Sequence, residues 1–155
     1  LSLALEEAAK SVDVTAVQGG TYLAMEGPQF SSLAESELYQ TWGCDVIGMT
    51  NMPEAKLARE AEICYATVAM VTDYDCWHPN HDHVQVADII RVLNANADHA
   101  RALVNAVVPS LGDRPGACSA GCDHALDTAI ITAPEARDPA IAAKLDAVAG
   151  RVLNT

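Results

Sequence analysis

The stretch GTYLAMEGPQFSSLAESELYQTWGCDVIGM, residues 20–49, decides the fold class, because it changes its hydrophobic period twice. GTYLAM (20–25) is short and apolar, as a strand requires. EGPQF (26–30) is a Gly-Pro turn. SSLAESELYQTWG then sets Ser32 and Glu35 at capping-box spacing and stops at Gly43, which predicts one complete helix. CDVIGM (44–49) returns to a strand pattern, so the whole reads as strand, helix, strand.

The pattern continues on both sides. LSLALEEAAK reads as a helix with Leu1, Leu5 and Ala8 on one face, and VDVTAVQ (12–18) as a further short strand. TNMPEAKLAREAE (50–62) predicts a second helix with Pro53 in its first turn. ICYATVAMVT (63–72) is a nearly continuous apolar, β-branched run that suits a strand covered on both faces. Repeated βαβ units gather ligands beyond the carboxyl ends of their strands. Three segments end there: EGPQF, GMTNMPE and TDYDCW. Beyond them, residues 84–108 keep apolar positions at helical spacing, predicting a long helix stopped by Pro109. A polar linker (110–122) leads to CDHALDTAI, a short helix or turn, and to a final amphipathic helix from Pro139.

The 155 residues fit one domain. Nine Lys plus Arg against twenty-one Asp plus Glu give a net charge of -12, which argues against nucleic acid as a partner. The apolar runs are too short for a membrane helix, and a soluble, cytoplasmic protein is expected. Five scattered cysteines fit a reducing compartment, with Cys118 and Cys122 the one close pair to weigh as a disulfide or metal candidate. Leu1 already reads as helix interior, so the chain is expected to begin inside a larger protein.

VTDYDCWHPNHDH (71–83) holds the densest chemistry. Asp73 follows the apolar run, where a carboxylate either meets a ligand or caps nearby amides; Asp75 is open to the same two readings. His78, His81 and His83 invite zinc, but they lack an organised ligand spacing, and no metal site is expected. His124 beside Cys118 and Cys122 is an equally weak cluster, since CSAGC is wider than CxxC and has no second pair. Thr50 and Asn51 precede a helix start, where they either hold an anion or cap the helix. Phe30 in a polar turn either stacks on a planar ligand or staples the next helix. Met49 suits packing against a sugar or a core, and Trp42 reads as core.

EGPQFSS, GMTNMPE and TDYDCW at these distances, followed by the long helix, resemble the 5'-methylthioadenosine phosphorylase branch of the trimeric purine nucleoside phosphorylase family. The resemblance runs from about Gly20 to Pro109 and more loosely through the tail, where ALDTAIIT is similar to microbial members. It implies an α/β fold around a twisted mixed sheet flanked by helices, with residues 1–155 as the carboxyl-terminal part of a single domain. It implies phosphorolysis of methylthioadenosine, with phosphate as co-substrate and no cofactor, in a homotrimer or hexamer. Carried over by motif, Phe30 and Ser31 lie by the purine, Met49 under the ribose, and Thr50 reaches phosphate. Thr72, Asp73 and Asp75 form the purine end, Asp73 and Asp75 as the catalytic pair, and Val86 and Ile89 line the methylthio pocket. The family's amino-terminal half, with its phosphate loop and Arg-His segment, is not in this sequence, so the isolated chain is expected to be inactive. Microbial members often carry CxC, whereas three residues separate Cys118 and Cys122, whose redox state stays open. The alternatives are a phosphorylase for 6-oxopurine nucleosides, a metal-binding module built on the histidines, and a silent assembly partner.

Overall fold

The structure, a computed structural model, describes residues 1–78, 86–112 and 116–154. It comprises α1 (Ser2–Ser11), β1 (Tyr22–Ala24), α2 (Leu33–Thr41), β2 (Val46–Gly48), α3 (Glu54–Glu60), α4 (Val86–Leu111) and α5 (Pro139–Leu153). Short 3-10 turns lie at Asp75–Trp77, Cys122–His124 and Pro134–Ala136. The chain forms two compact units. The first joins Leu1–Asn51 to Thr67–Asp113, and the second joins Met52–Ala66 to Arg114–Thr155.

In the first unit β1 and β2 pair in parallel, with Tyr22 opposite Val46, Leu23 opposite Ile47 and Ala24 opposite Gly48. α2 is the crossover, as residues 20–49 predict. Its capping box forms: the Ser32 amide donates to Glu35 Oε2 at 2.7 Å, and the Ser32 hydroxyl accepts from the Glu35 amide at 3.4 Å. The Ser32 amide foremost, and then the Ser32 hydroxyl, which donates to Glu35 Oε2 at 2.8 Å, hold the Glu35 carboxyl below its ordinary range. Gly43 at φ 74 supplies the left-handed turn that ends α2. Asp45 then ties the strand starts together, accepting from the Thr21 amide at 2.6 Å while its own amide donates to Thr21 O at 2.9 Å.

α1 packs on α4. Ala8 and Ala9 meet Leu103 and Val107, with Leu5 and Val14 at the margin. Alanine lets the helix backbones approach, and the bulk comes from α4.

Three expectations need correction. Residues 12–18 are not a strand, because the Val12 and Val14 amides both donate back to Ala9 O and Asp13 turns left-handed at φ 55. Residues 63–72 have no ladder among the described residues. Ile63 donates back to Ala58 O to close α3, and Ile63, Val68, Met70 and Val71 are all exposed. A strand exists only with a neighbour to accept its hydrogen bonds, so apolar content alone did not make one. The sheet is therefore two parallel strands among the described residues. α4 also runs past Pro109 to Leu111. A proline that near the end forfeits one bond of the last turn, and the Ser110 hydroxyl donates to Val107 O at 2.7 Å there.

In the second unit Asp138 caps α5, accepting from the Ala140 and Ile141 amides at 2.7 and 3.3 Å, with Pro139 at the first position. Arg151 of α5 donates to Glu62 Oε2 at 2.7 Å and also to Asp127 at 2.5 Å. The Arg151 guanidinium lowers the Glu62 carboxyl from its ordinary 4.5 to about 2. No helix among the described residues is long and apolar enough to cross a membrane.

Candidate active site

The site grows from the start of α2 and the 3-10 turn at residues 75–77. Asp75 is half-buried and left-handed, at φ 61. Its Oδ2 accepts from Ser31 Oγ at 3.2 Å and from Ser36 Oγ in a very short contact. The two hydroxyls are 3.1 Å apart. Two hydroxyl protons serve three oxygen pairs, and both are best spent on the carboxylate. Cys76 closes the group, its thiol donating to Ser31 O at 3.6 Å and lying 3.5 Å from Ser36 Oγ. Ser36, on the first turn and a half of α2, is 3 % exposed and is the buried polar side chain of the described residues. Nothing in the sequence pattern singled it out.

Asp73 is exposed and oriented by its neighbours. Thr72 Oγ1 donates to Oδ2 at 2.7 Å, and the Asp75 amide donates to Oδ1 at 2.9 Å. A carboxylate has about four acceptor positions, so these bonds leave capacity for a ligand donor. Asn96 of α4 donates to Val71 O at 3.0 Å and ties the approach segment to that helix.

The other expected residues fall into two groups. Ser31 joins the Asp75 cluster directly. Phe30, the residue before Ser31, stands 86 % exposed. Met49 is half-buried against the turn at Gly27, where any side chain would meet Met49 Sδ at 2.6 Å. Thr50 is exposed at the end of β2, and Asn51 accepts from Thr67 Oγ1 at 2.6 Å. Val86 and Ile89 lie in the first turn of α4. His78 packs its ring 4.7 Å from Tyr74, while His81 and His83 lie outside the described residues.

A cavity of about 60 Å³ opens beside Ser36, Asp75 and Trp77, floored by Leu23 and Ile47 of the sheet. Nucleoside-sized pockets run to about 300 Å³ or more, so this space is part of a site at most.

Three thiols that the sequence scatters meet in the second unit. Cys64, Cys118 and Cys122 bring their sulfurs within 4.8 Å of one another. Backbone amides of Cys122 and Ala120, then the thiols of Cys64 and Cys122, lower the Cys118 thiol from its ordinary 9.0 to about 6. Reading CSAGC alone missed Cys64, because no local pattern announces a partner so distant in the chain.

The family model of the phosphorylase superfamily matches residues 1–109, which carry the whole Ser31–Ser36–Asp75 cluster. This chain belongs to the phosphorylase superfamily. Phosphorylase relatives resemble it along nearly its full length. The S-methyl-5'-thioadenosine phosphorylase of Cereibacter sphaeroides is 65% identical over 153 residues, covering 99% of this chain and 53% of the relative. That of Bradyrhizobium diazoefficiens is 64% identical over the same shares. Among solved phosphorylases, a methylthioadenosine phosphorylase from an antarctic soil metagenomic library superposes with a TM-score of 0.82 at 42% identity, over 94% of this chain and 51% of the other. The methylthioadenosine phosphorylase of Schistosoma mansoni, solved in complex with adenine, gives 0.64 at 29% identity, over 72% of this chain and 45% of the other. The likeness to these solved phosphorylases supports an α/β phosphorylase fold. The chain spans about half the length of the curated relatives it matches.

Proposed function

We propose that this chain supplies the base and ribose half of a methylthioadenosine phosphorylase. The observation that carries the reading is identity of 65% along 99% of the chain to a relative bearing that activity's name. The Ser31–Ser36–Asp75 cluster and the adjoining Asp73 give it a chemical location.

A phosphate oxygen attacks C1' of the nucleoside as the bond from C1' to N9 breaks and its electron pair passes into the purine. The products are adenine and 5-methylthioribose 1-phosphate. Charge builds on the leaving base, so catalysis rests on stabilising it there. Asp73, with acceptor positions left over, takes a hydrogen bond from the 6-amino group and shares a proton with N7. Asp75, pinned by the two serines, fixes the turn that aims Asp73. Phe30 offers its open face to the purine, Met49 packs under the ribose, Thr50 contacts phosphate, and Val86 and Ile89 border the methylthio group. No organic cofactor takes part, and inorganic phosphate is the co-substrate.

The remaining anion-binding groups belong to an amino-terminal half of the same enzyme, in a homotrimer or hexamer in the cytoplasm. That half also supplies neighbours for residues 63–72 and completes a mixed, twisted sheet, which accounts for the exposed apolar run.

Replacing Asp73 by Asn in the full-length protein tests the assignment. Losing a charge-assisted bond of about 1.5–3 kcal/mol lowers kcat/KM for methylthioadenosine by about tenfold or more. Methylthioinosine, whose 6-oxo group an Asn amide can donate to, suffers less. Equal losses on both substrates would remove Asp73 from purine recognition.

A further inference from the structure

The cysteine cluster of the second unit plays no part in the reaction above. Cys118 and Cys122 sit on one tight turn. The Gly121 amide donates to Cys118 O at 2.8 Å, and Gly121 adopts φ 66, a left-handed geometry that brings the chain back on itself. The amides of Ala120 and Cys122 point at the Cys118 sulfur. The Cys118 amide in turn donates to both oxygens of Asp123, at 3.2 and 3.1 Å, which fixes the turn from outside. Cys64 arrives from the segment after α3, anchored by Glu62, which accepts from the Leu126 amide at 3.1 Å. All three thiols are half-buried. Amides directed at sulfur are the outer contacts that orient thiolate ligands on a metal.

We infer that Cys64, Cys118 and Cys122 form a zinc-binding site, with three thiolates and a fourth position for water. Zinc–sulfur bonds of about 2.3 Å put tetrahedral sulfurs about 3.8 Å apart, so a spread within 4.8 Å closes by small side-chain rotations. Binding releases to solvent the thiol protons still held and leaves a net charge of minus one on the zinc and its three thiolates. Arg59 Nη1 lies 3.6 Å from Cys122 Sγ and offsets that charge. The ion ties the segment after α3 to the turn before α5 and has no role at the reacting atoms.

The test uses the full-length protein, reduced, stripped with a chelator, supplied with zinc alone and dialysed. One zinc is retained per chain, and zinc shields Cys64, Cys118 and Cys122 from alkylation while leaving Cys44 and Cys76 as reactive as before. In Cys64→Ser and Cys118→Ser, zinc affinity falls by more than about tenfold, the scale on which even residues behind a metal ligand act; in Cys44→Ser it does not change. The footprint on the unmutated protein stands even if a variant fails to fold. Zinc lost on dialysis, or alkylation of the three thiols unaffected by zinc, overturns the proposal. So does a disulfide within the trio in protein prepared without reductant, if zinc fails to bind once that disulfide is reduced.

Discussion

Ser36→Ala removes one oxygen atom from the centre of the Asp75 cluster and little else. Ser36 is 3 % exposed, so water cannot readily take the place of its hydroxyl, and Ala preserves the α2 backbone. Asp75 keeps Ser31 as a donor at 3.2 Å, the longer of its two contacts. Hydrogen bonds to charged groups contribute about 1.5–3 kcal/mol, and Asp75 is half-exposed, so the lower end applies, about 1.5 kcal/mol. If the bond holds Asp75 so that Asp73 meets the purine, its loss lowers kcat/KM for methylthioadenosine by about tenfold. The readout that separates aim from mere stability is the pair Ser36→Ala and Ser36→Thr. Thr keeps the hydroxyl at the expense of a methyl group, so it loses stability but recovers most of kcat/KM. The assay is phosphate-dependent release of adenine at a temperature where both variants are folded, with melting curves alongside. Unchanged kcat/KM in Ser36→Ala, or equal losses in both variants, would refute the argument that this hydroxyl positions the site.

Gly48→Ala places a Cβ against the Tyr22 hydroxyl across the β1–β2 ladder, with Tyr22 Cζ at 2.8 Å, and should cost about 1–3 kcal/mol as overpacking. Adding Tyr22→Phe recovers part of the loss in a double-mutant cycle read by thermal melting. Glu62 has a folded pKa of about 2, below its ordinary 4.5, so it adds stability above pH 4.5 that is lost as pH falls from 4.5 toward 2. Glu62→Gln is therefore less stable at neutral pH, and the difference from the parent protein narrows through that window in melting curves taken across pH.

What the sequence displays and what it hides divide along the range of the forces involved. The capping box at Ser32 and Glu35, the stop at Gly43 and the start of α5 at Asp138–Pro139 are local, and each forms as its residues predict. The run 63–72 has the composition of a core strand, but a strand is a relation to a neighbour, and the composition does not say where the neighbour is. Ser36 reads as an ordinary helix serine until the turn at Asp75, distant in sequence, is folded onto it. Cys64 is hidden for the same reason. Asp73 and Asp75 were visible through their place after an apolar run, yet their different surroundings, two serine hydroxyls for one and a threonine and an amide for the other, emerge only from the fold.

The left-handed backbone at Asp75 also shapes how this position can drift. At φ 61 most side chains crowd the following carbonyl, while Gly, Asn and Asp tolerate the conformation. The reachable replacements are thus Gly, which frees the backbone and abandons Ser31 and Ser36, and Asn, which keeps one oxygen but surrenders the charge that makes their bonds strong. Backbone and side chain impose separate filters on position 75, and aspartate passes both.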